Sequence, residues 1–276
     1  MNQDPTEVRK AVREGYAKVA KQSGSCCGPT KGCCGTTAPQ ATSRAVGYSE
    51  EELAAVPDGA NLGLGCGNPV ALATLKLGET VLDLGSGAGI DCFLAAKKVG
   101  PTGQVIGVDM TPEMVERARA NARKSGVTNV EFRLGEIEHL PVADSSVDAI
   151  ISNCVINLSS DKPQVFREAF RVLRPGGRLM VSDIVLDAPL PQALLGSVSA
   201  YVGCVSGASL KADYLRMISA AGFADVSVVA EDRFPVEATA SDPTLVALVR
   251  ESGLAVEELA RLARGVRSIK VAARRP

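Results

Sequence analysis

The sequence predicts an α/β fold built on a doubly wound sheet. Three observations carry that prediction: strand-like and helix-like segments alternate from Thr80 onward, a glycine-rich stretch joins the first strand to its helix, and an acid ends the second strand. The chain of 276 residues is 46% hydrophobic and 22% charged, a globular balance that excludes disorder and collagen-like architecture. Its 30 Lys and Arg nearly cancel its 31 Asp and Glu, so no overall field draws it to nucleic acid or to an anionic membrane. The N-terminus has no apolar h-region, and no apolar run approaches the roughly 18 residues of a membrane span. The expectation is a cytoplasmic protein.

The elements follow in order. Val8, Val12, Tyr16 and Val19 recur at helical spacing after Asp4-Pro5, which predicts a short amphipathic helix. From Ser23 to Ser43 the chain turns to Gly, Pro, Ser and Thr around two cysteine pairs, Cys26-Cys27 and Cys33-Cys34, and reads as a mobile, thiol-bearing loop. Thr80 to Leu84 is the first strand and Val105 to Asp109 the second. Thr111, Pro112 and Glu113 offer a capping hydroxyl, a first-turn proline and an early acid to a helix through Met114, Val115, Ala118 and Ala122 that closes near Gly126. Val130, Phe132 and Leu134 alternate as a third strand, and Val147 to Asn153 is apolar enough for a buried fourth.

Asp161 and Pro163 open a helix with Phe166, Ala169, Phe170 and Leu173 on one face, ended by Arg174-Pro175-Gly176-Gly177. Leu179 to Ile184 is the fifth strand. Leu210 to Ala221 reads as a helix stopped by Gly222, Val226 to Val229 as a strand, Ser241 to Arg250 and Val256 to Arg264 as helices, and Ser268 to Ala272 as a last strand. The basic residues Arg261, Arg264, Arg267, Lys270, Arg274 and Arg275 read as a solvated surface. The expected organisation is an N-terminal helix and cysteine-rich segment over 1–60, a cofactor-binding core over 61–190, and a substrate-covering insertion with completion of the sheet over 191–276.

Two counts constrain the chemistry. A single histidine, His139, leaves no material for a multi-histidine metal site; beside a loop it reads as structural. Eight cysteines in a reducing compartment point to soft-metal or redox work more than to a disulfide framework.

The stretch Asp83-Leu84-Gly85-Ser86-Gly87-Ala88-Gly89-Ile90-Asp91 follows the first strand and opens a helix, and its glycines let the backbone approach a ligand closely. Twenty residues after Gly89, Asp109 is placed to accept both ribose hydroxyls. A dinucleotide fingerprint would put its third glycine at Ile90; the spacing here is Gly-x-Gly-x-Gly with an acid two residues before it. This resembles the S-adenosylmethionine-dependent methyltransferases. Gly135-Glu136-Ile137-Glu138 is similar to that family's adenine-bordering segment, and Arg171 to Asp183 to its later helix, turn and fifth strand. The resemblance implies a Rossmann-like, seven-stranded class I sheet, mostly parallel with its last strand reversed. It also implies a cofactor site at Asp83, Gly85, Ser86, Gly87, Gly89, Asp109, Met110, Gly135, Glu136, Ile137 and Asn153.

Methyl transfer is a displacement, so an acceptor lone pair must be held in line with the methyl carbon, and positioning alone contributes roughly 7–11 kcal/mol. Oxygen and nitrogen acceptors often need a base as well; a soft acceptor does not. Cys66 in GCGNP lies just upstream of the first strand, Cys154 in SNCVINL follows the fourth at the strand end that faces a cofactor in open α/β sheets, and Cys204 in GCVSGA follows the fifth, whereas Cys92 reads as a small buried hydrophobe. Together with the paired N-terminal cysteines, these motifs resemble the arsenite methyltransferases along essentially the whole chain.

That resemblance implies that Cys66, Cys154 and Cys204 bind arsenic(III), whose lone pair attacks the methyl carbon, in the service of arsenic detoxification. Arsenite and methylated arsenicals are then the substrates. It implies further that an N-terminal cysteine forms a disulfide with Cys66 after transfer, and that thioredoxin or glutathione reduces it. The motif does not choose among Cys26, Cys27, Cys33 and Cys34. Two other readings fit parts of the sequence: a methyltransferase for a carbon, oxygen or nitrogen of a small metabolite, and a non-enzymatic soft-metal-binding protein.

Overall fold

A computed structural model describes residues 5–21, 39–65, 67–69, 74–191, 207–233, 254, 258, 261–262 and 264–276. Its centre is one sheet in the order β3-β2-β1-β4-β5-β8-β7, with a two-residue strand β6 (Ser209–Leu210) attached in parallel to the end of β5. β1 (Thr80–Leu84), β2 (Gln104–Asp109), β3 (Val130–Leu134), β4 (Val147–Asn153) and β5 (Leu173–Leu186) run parallel, and β8 (Val266–Arg274) runs antiparallel to both β5 and β7 (Ala224–Arg233). The seven-stranded class I methyltransferase sheet with its reversed last strand is therefore present.

Both faces of the sheet are covered, which is why its central strands are apolar on both sides. On one face, Leu82, Leu84, Ile150 and Val181 meet α6 (Lys162–Val172) and α7 (Lys211–Ala220), where Phe166 and Tyr214 pack edge-to-face at 5.5 Å. On the other, Val81, Val105 and Ile151 meet α4 (Ile90–Val99) and α5 (Pro112–Ser125) through Phe93, Val115 and Ala118. The order reverses between β1 and β4. That is the point where the loops beyond the carboxyl ends of the strands leave a crevice.

Local departures from the sequence-based expectations have physical causes. Thr111 stands at the N-cap of α5 without a side-chain capping bond; its backbone and hydroxyl serve Asp109 instead. Pro112 and the left-handed Gly126 bound α5 as expected. The proline-glycine turn at Arg174–Gly177 lies within β5 as a shift of register against β4, where Leu173 pairs with Val147 and Arg178 with Ala149. Arg275 is not merely solvated: its guanidinium lies 4.7 Å from the Phe170 ring centroid and donates to the carbonyls of Phe170 and Arg171.

The segment read as a loop up to Ser43 contains a helix, α2 (Pro39–Ala45), because Pro39 fits a first helical turn and Ser43 is buried beneath it with Asn61 as partner. The Cys26–Cys34 stretch and the helix expected at Ser241–Arg250 lie outside the described residues, as does most of the one expected at Val256–Arg264. Among the described residues no helix is long and apolar enough to cross a membrane.

Candidate active site

The crevice at the reversal point is a cleft. Its floor is the glycine loop after β1, its sides are the ends of β2 and β4, and its roof is α1 (Pro5–Lys21), which contributes Arg9, Val12 and Tyr16. Lys21 pairs with Glu113 and Arg9 with Glu136, fastening α1 across the opening. Gly85 has φ of 70°, and a Cβ there would meet Val155 Cγ2 at 2.3 Å, so only glycine lets the loop after β4 close against the loop after β1. Gly87 differs: nothing lies within 4 Å of its missing Cβ, and the open side faces the cleft.

Asp109, at the end of β2, accepts the Gly87 and Thr111 backbone N–H groups through its two oxygens. Burial raises its carboxyl from the ordinary value, and those donors pull it back. Gly85, Ser86, Gly87, Asp109, Met110, Gly135, Ile137 and Asn153 all line the cleft.

Three further expected cofactor residues do not reach its surface. Asp83 is buried behind the loop and accepts the Cys92 thiol at 3.2 Å; burial and the nearby Asp91 push its carboxyl well above the usual range. Gly89 packs against Phe93 and Phe132. Glu136 turns outward into ion pairs with Arg9 at 2.7 Å and Arg13 at 3.5 Å. Cys92 is buried as expected, but it is also the donor that satisfies Asp83, and burial followed by that acid raises its thiol. His139 closes a turn through its backbone N–H to Glu136 and does not line the cleft.

Sequence reading missed Tyr48 and Asn61, named Glu138 only within the adenine-bordering segment, and gave Asp91 no role beyond ending the loop. Tyr48 donates to Asp91 Oδ1 at 2.8 Å, and Asn153 Nδ2 donates to the Tyr48 hydroxyl at 2.8 Å and to Asp91 Oδ2 at 3.2 Å. Burial lifts the Asp91 carboxyl to about 6 against the pull of these donors, and burial with Asp91 alongside raises the Tyr48 phenol well above its ordinary value. Glu138, nearly buried, accepts from Ser159. An acid just after a glycine loop, at the start of a buried helix, was the available signal for Asp91; Tyr48 and Asn61 carry no local mark.

Cys154 begins the turn after β4, is 6% exposed, and lines the cleft. It has φ of 57°, and its N–H donates to Ser182 O at 2.9 Å. It is disulfide-bonded, while Cys92 is a free thiol. Cys66 and Cys204 lie outside the described residues, so among the described residues no three-ligand metal cluster forms. The neighbours of Cys66 are described: Asn153 Nδ2 donates to Gly67 O at 2.7 Å and lies 2.6 Å from the position of a Cβ on Gly65. Ala208, four residues past Cys204, packs on the cluster that includes Cys154, Val12 and Leu158.

Comparison with known proteins gives this arrangement its relatives. A family described as a methyltransferase domain matches residues 75–222. An arsenic (III) S-adenosylmethionine methyltransferase from Chlamydomonas reinhardtii, known from its crystal structure, is 35% identical with a TM-score of 0.61, and the alignment covers 85% of this chain and 73% of that one. This chain belongs to the arsenite methyltransferase family. Other family members include the arsenite methyltransferase of Halobacterium salinarum, 52% identical over 84% of this chain and 61% of that protein. That of Aquipseudomonas alcaligenes is 40% identical over 85% and 66%. The chain thus spans a little over three-fifths of the length of these curated relatives.

The residues present suit the S-adenosylmethionine that the family name implies. Ser86 lines the cleft and its buried Oγ has no hydrogen-bond partner among the described residues, Gly87 leaves open space, and Asp109 retains lone pairs beyond its two backbone donors.

Proposed function

We propose that this chain transfers the methyl group of S-adenosylmethionine to trivalent arsenic held by Cys66, Cys154 and Cys204. The observation that carries the proposal is the position of Cys154: in a chain of this family, it stands on the wall of the same cleft that Gly87 and Asp109 line. Of the described residues flanking Cys66, Gly67 is hydrogen-bonded to Asn153 and Gly65 lies against it, and Ala208 packs on the cluster that includes Cys154, which supports convergence of the three segments.

S-adenosylmethionine, when bound, supplies a methyl group on a positively charged sulfur. The chain's own work is to hold the acceptor. Trivalent arsenic is thiophilic, three thiolates form a neutral pyramid around it, and its lone pair stays free to attack carbon. No general base is needed, which agrees with the absence of His139 from the cleft. Asn153 ties the Cys66 segment to the Cys154 turn, so that acceptor and cofactor share one frame. Donation of the lone pair leaves arsenic formally pentavalent. Two electrons return it to the trivalent state, supplied as one of Cys26, Cys27, Cys33 or Cys34 forms a disulfide with Cys66, and thioredoxin or glutathione then restores the thiols. The disulfide at Cys154 must be reduced by the same kind of donor before arsenic binds. In a cytoplasmic setting the outcome is arsenic detoxification.

The test is incubation of the purified chain with arsenite, S-adenosylmethionine and a thiol reductant, with arsenic species separated by chromatography and detected by elemental mass. Methylated arsenic that depends on both substrates is expected. Cys154→Ser abolishes it while S-adenosylmethionine still binds by calorimetry; retained turnover in that variant would refute the three-thiolate assignment. Intact cofactor binding without arsenic methylation in the unaltered chain would move the acceptor to a small metabolite.

A further inference from the structure

Asn61 lies on a strap, residues 59–65, that crosses the cleft. The strap starts beside the glycine loop: a Cβ on Gly59 would lie 3.5 Å from Asn121 Oδ1, and Asn121 Nδ2 donates to Ala88 O at 3.1 Å. It ends at Gly65 against Asn153. Between these points the Asn61 amide oxygen is fully used, accepting the Ser43 hydroxyl at 2.8 Å and the Gly63 backbone N–H at 2.9 Å. The Gly63 N–H can only donate, so the oxygen and nitrogen of the amide are assigned without ambiguity. Asn61 lines the cleft, and its Nδ2 carries two N–H donors, is shielded from solvent and has no partner among the described residues. A buried donor left unmade is costly, and such an atom on a cleft wall calls for an acceptor on the ligand.

The scaffold that holds Asn61 also holds Asp91. Ser43 pins the Asn61 oxygen through its hydroxyl and accepts the Tyr48 N–H through its carbonyl at 3.1 Å, and the Tyr48 hydroxyl donates to Asp91. A donor without a partner among the described residues and an acid thus share one mount in the cleft. The amino-acid end of S-adenosylmethionine presents a carboxylate and an ammonium on one carbon. Among the acids of the cleft floor, that carboxylate needs N–H donors and the ammonium needs an oxygen.

We infer that Asn61 Nδ2 binds the carboxylate of the cofactor's amino-acid end while Asp91 takes its ammonium, the two side chains reading a zwitterion. This rests on the cofactor assignment above and adds a specificity residue to it. Ser43 is a positioning residue, acting through Asn61.

The test uses isothermal calorimetry with two ligands, S-adenosylmethionine and its decarboxylated analogue, on the full chain and on Asn61→Ala and Asn61→Asp. Asn61→Asp keeps the shape and keeps acceptors for Ser43 and Gly63, so it guards against a merely misfolded alanine variant. Expected for S-adenosylmethionine is a loss of about tenfold in Asn61→Ala and a larger loss in Asn61→Asp, where carboxylate faces carboxylate. Decarboxylated S-adenosylmethionine binds all three proteins within about twofold. Equal weakening of both ligands, or of neither, overturns the assignment. Failure of the unaltered chain to bind either ligand overturns the cofactor reading itself, and is separate from any failure of arsenic methylation.

Discussion

Asp91 and Asp183 are both buried, both hydrogen-bonded to a tyrosine hydroxyl and an asparagine amide, and the two asparagines, Asn153 and Asn157, bracket Cys154 in one short turn. Asp91 has Tyr48 at 2.8 Å and Asn153 at 3.2 Å; Asp183 has Tyr214 at 3.0 Å, Asn157 at 2.8 Å and the Ile184 N–H at 2.9 Å. Their settings differ. Asp91 lines the cleft, whereas Asp183 is sealed between β5, the 3₁₀ turn Ile156–Leu158 and α7. Burial raises the carboxyl of Asp91 to about 6 and that of Asp183 to about 7. The same three residue types thus serve two ends: one set offers a charge to a ligand, and the other spends its acid on holding a turn. A buried acid is tolerable in both places only because each is given donors.

That contrast can be broken by experiment. The largest effect is expected from Asp183→Asn on stability. A carboxyl raised in the folded state to about 7 contributes stability that is complete below its unfolded value near 3.8 and is lost as pH rises through about 7. Between pH 5 and pH 8 the wild type should therefore lose, relative to Asp183→Asn, on the order of 3 kcal/mol in urea unfolding. A constant gap across that range contradicts an acid whose burial outweighs its donors.

Asp91→Asn should act on the ligand instead. S-adenosylmethionine affinity is expected to fall about tenfold at pH 7.5, about 1.4 kcal/mol, and to lose the decline that the wild type shows as pH drops through about 6 and the acid is protonated. Calorimetry at pH 5.5 and 7.5 reads both. Smaller still, Tyr214→Phe should cost about 1 kcal/mol of stability and leave cofactor affinity untouched. Tyr48→Phe, by removing a donor that lowers the Asp91 carboxyl, should move the inflection of the affinity profile upward in pH; an unmoved inflection would show that Asp91 is not the titrating group.

The comparison also marks what could be read before folding. The sheet was legible because apolar runs, glycine punctuation and helix caps are local signals, and the glycine loop with Asp109 carries its own spacing. The Asp91 group was not, because Tyr48 and Asn153 stand 43 and 62 residues from it and meet only once strand order is set. Asn61 was invisible for another reason: an unpaired donor is a property of a completed surface, never of a residue type. Helix α2 was hidden by polar composition, and the register shift at Arg174–Gly177 by turn residues that also permit a bulged strand.

The backbone of Cys154 has a consequence for the family's history. At φ of 57° a side chain pays on the order of 1 kcal/mol that glycine does not. A lineage relieved of its chemistry would gain stability by drifting to glycine at this position, and an engineer selecting for heat resistance would be drawn to the same change. On the proposed role of Cys154 as an arsenic ligand, the letter at 154 becomes a compact diagnostic: cysteine kept against that gradient marks a descendant still under selection for turnover, and glycine marks one that has been excused from it.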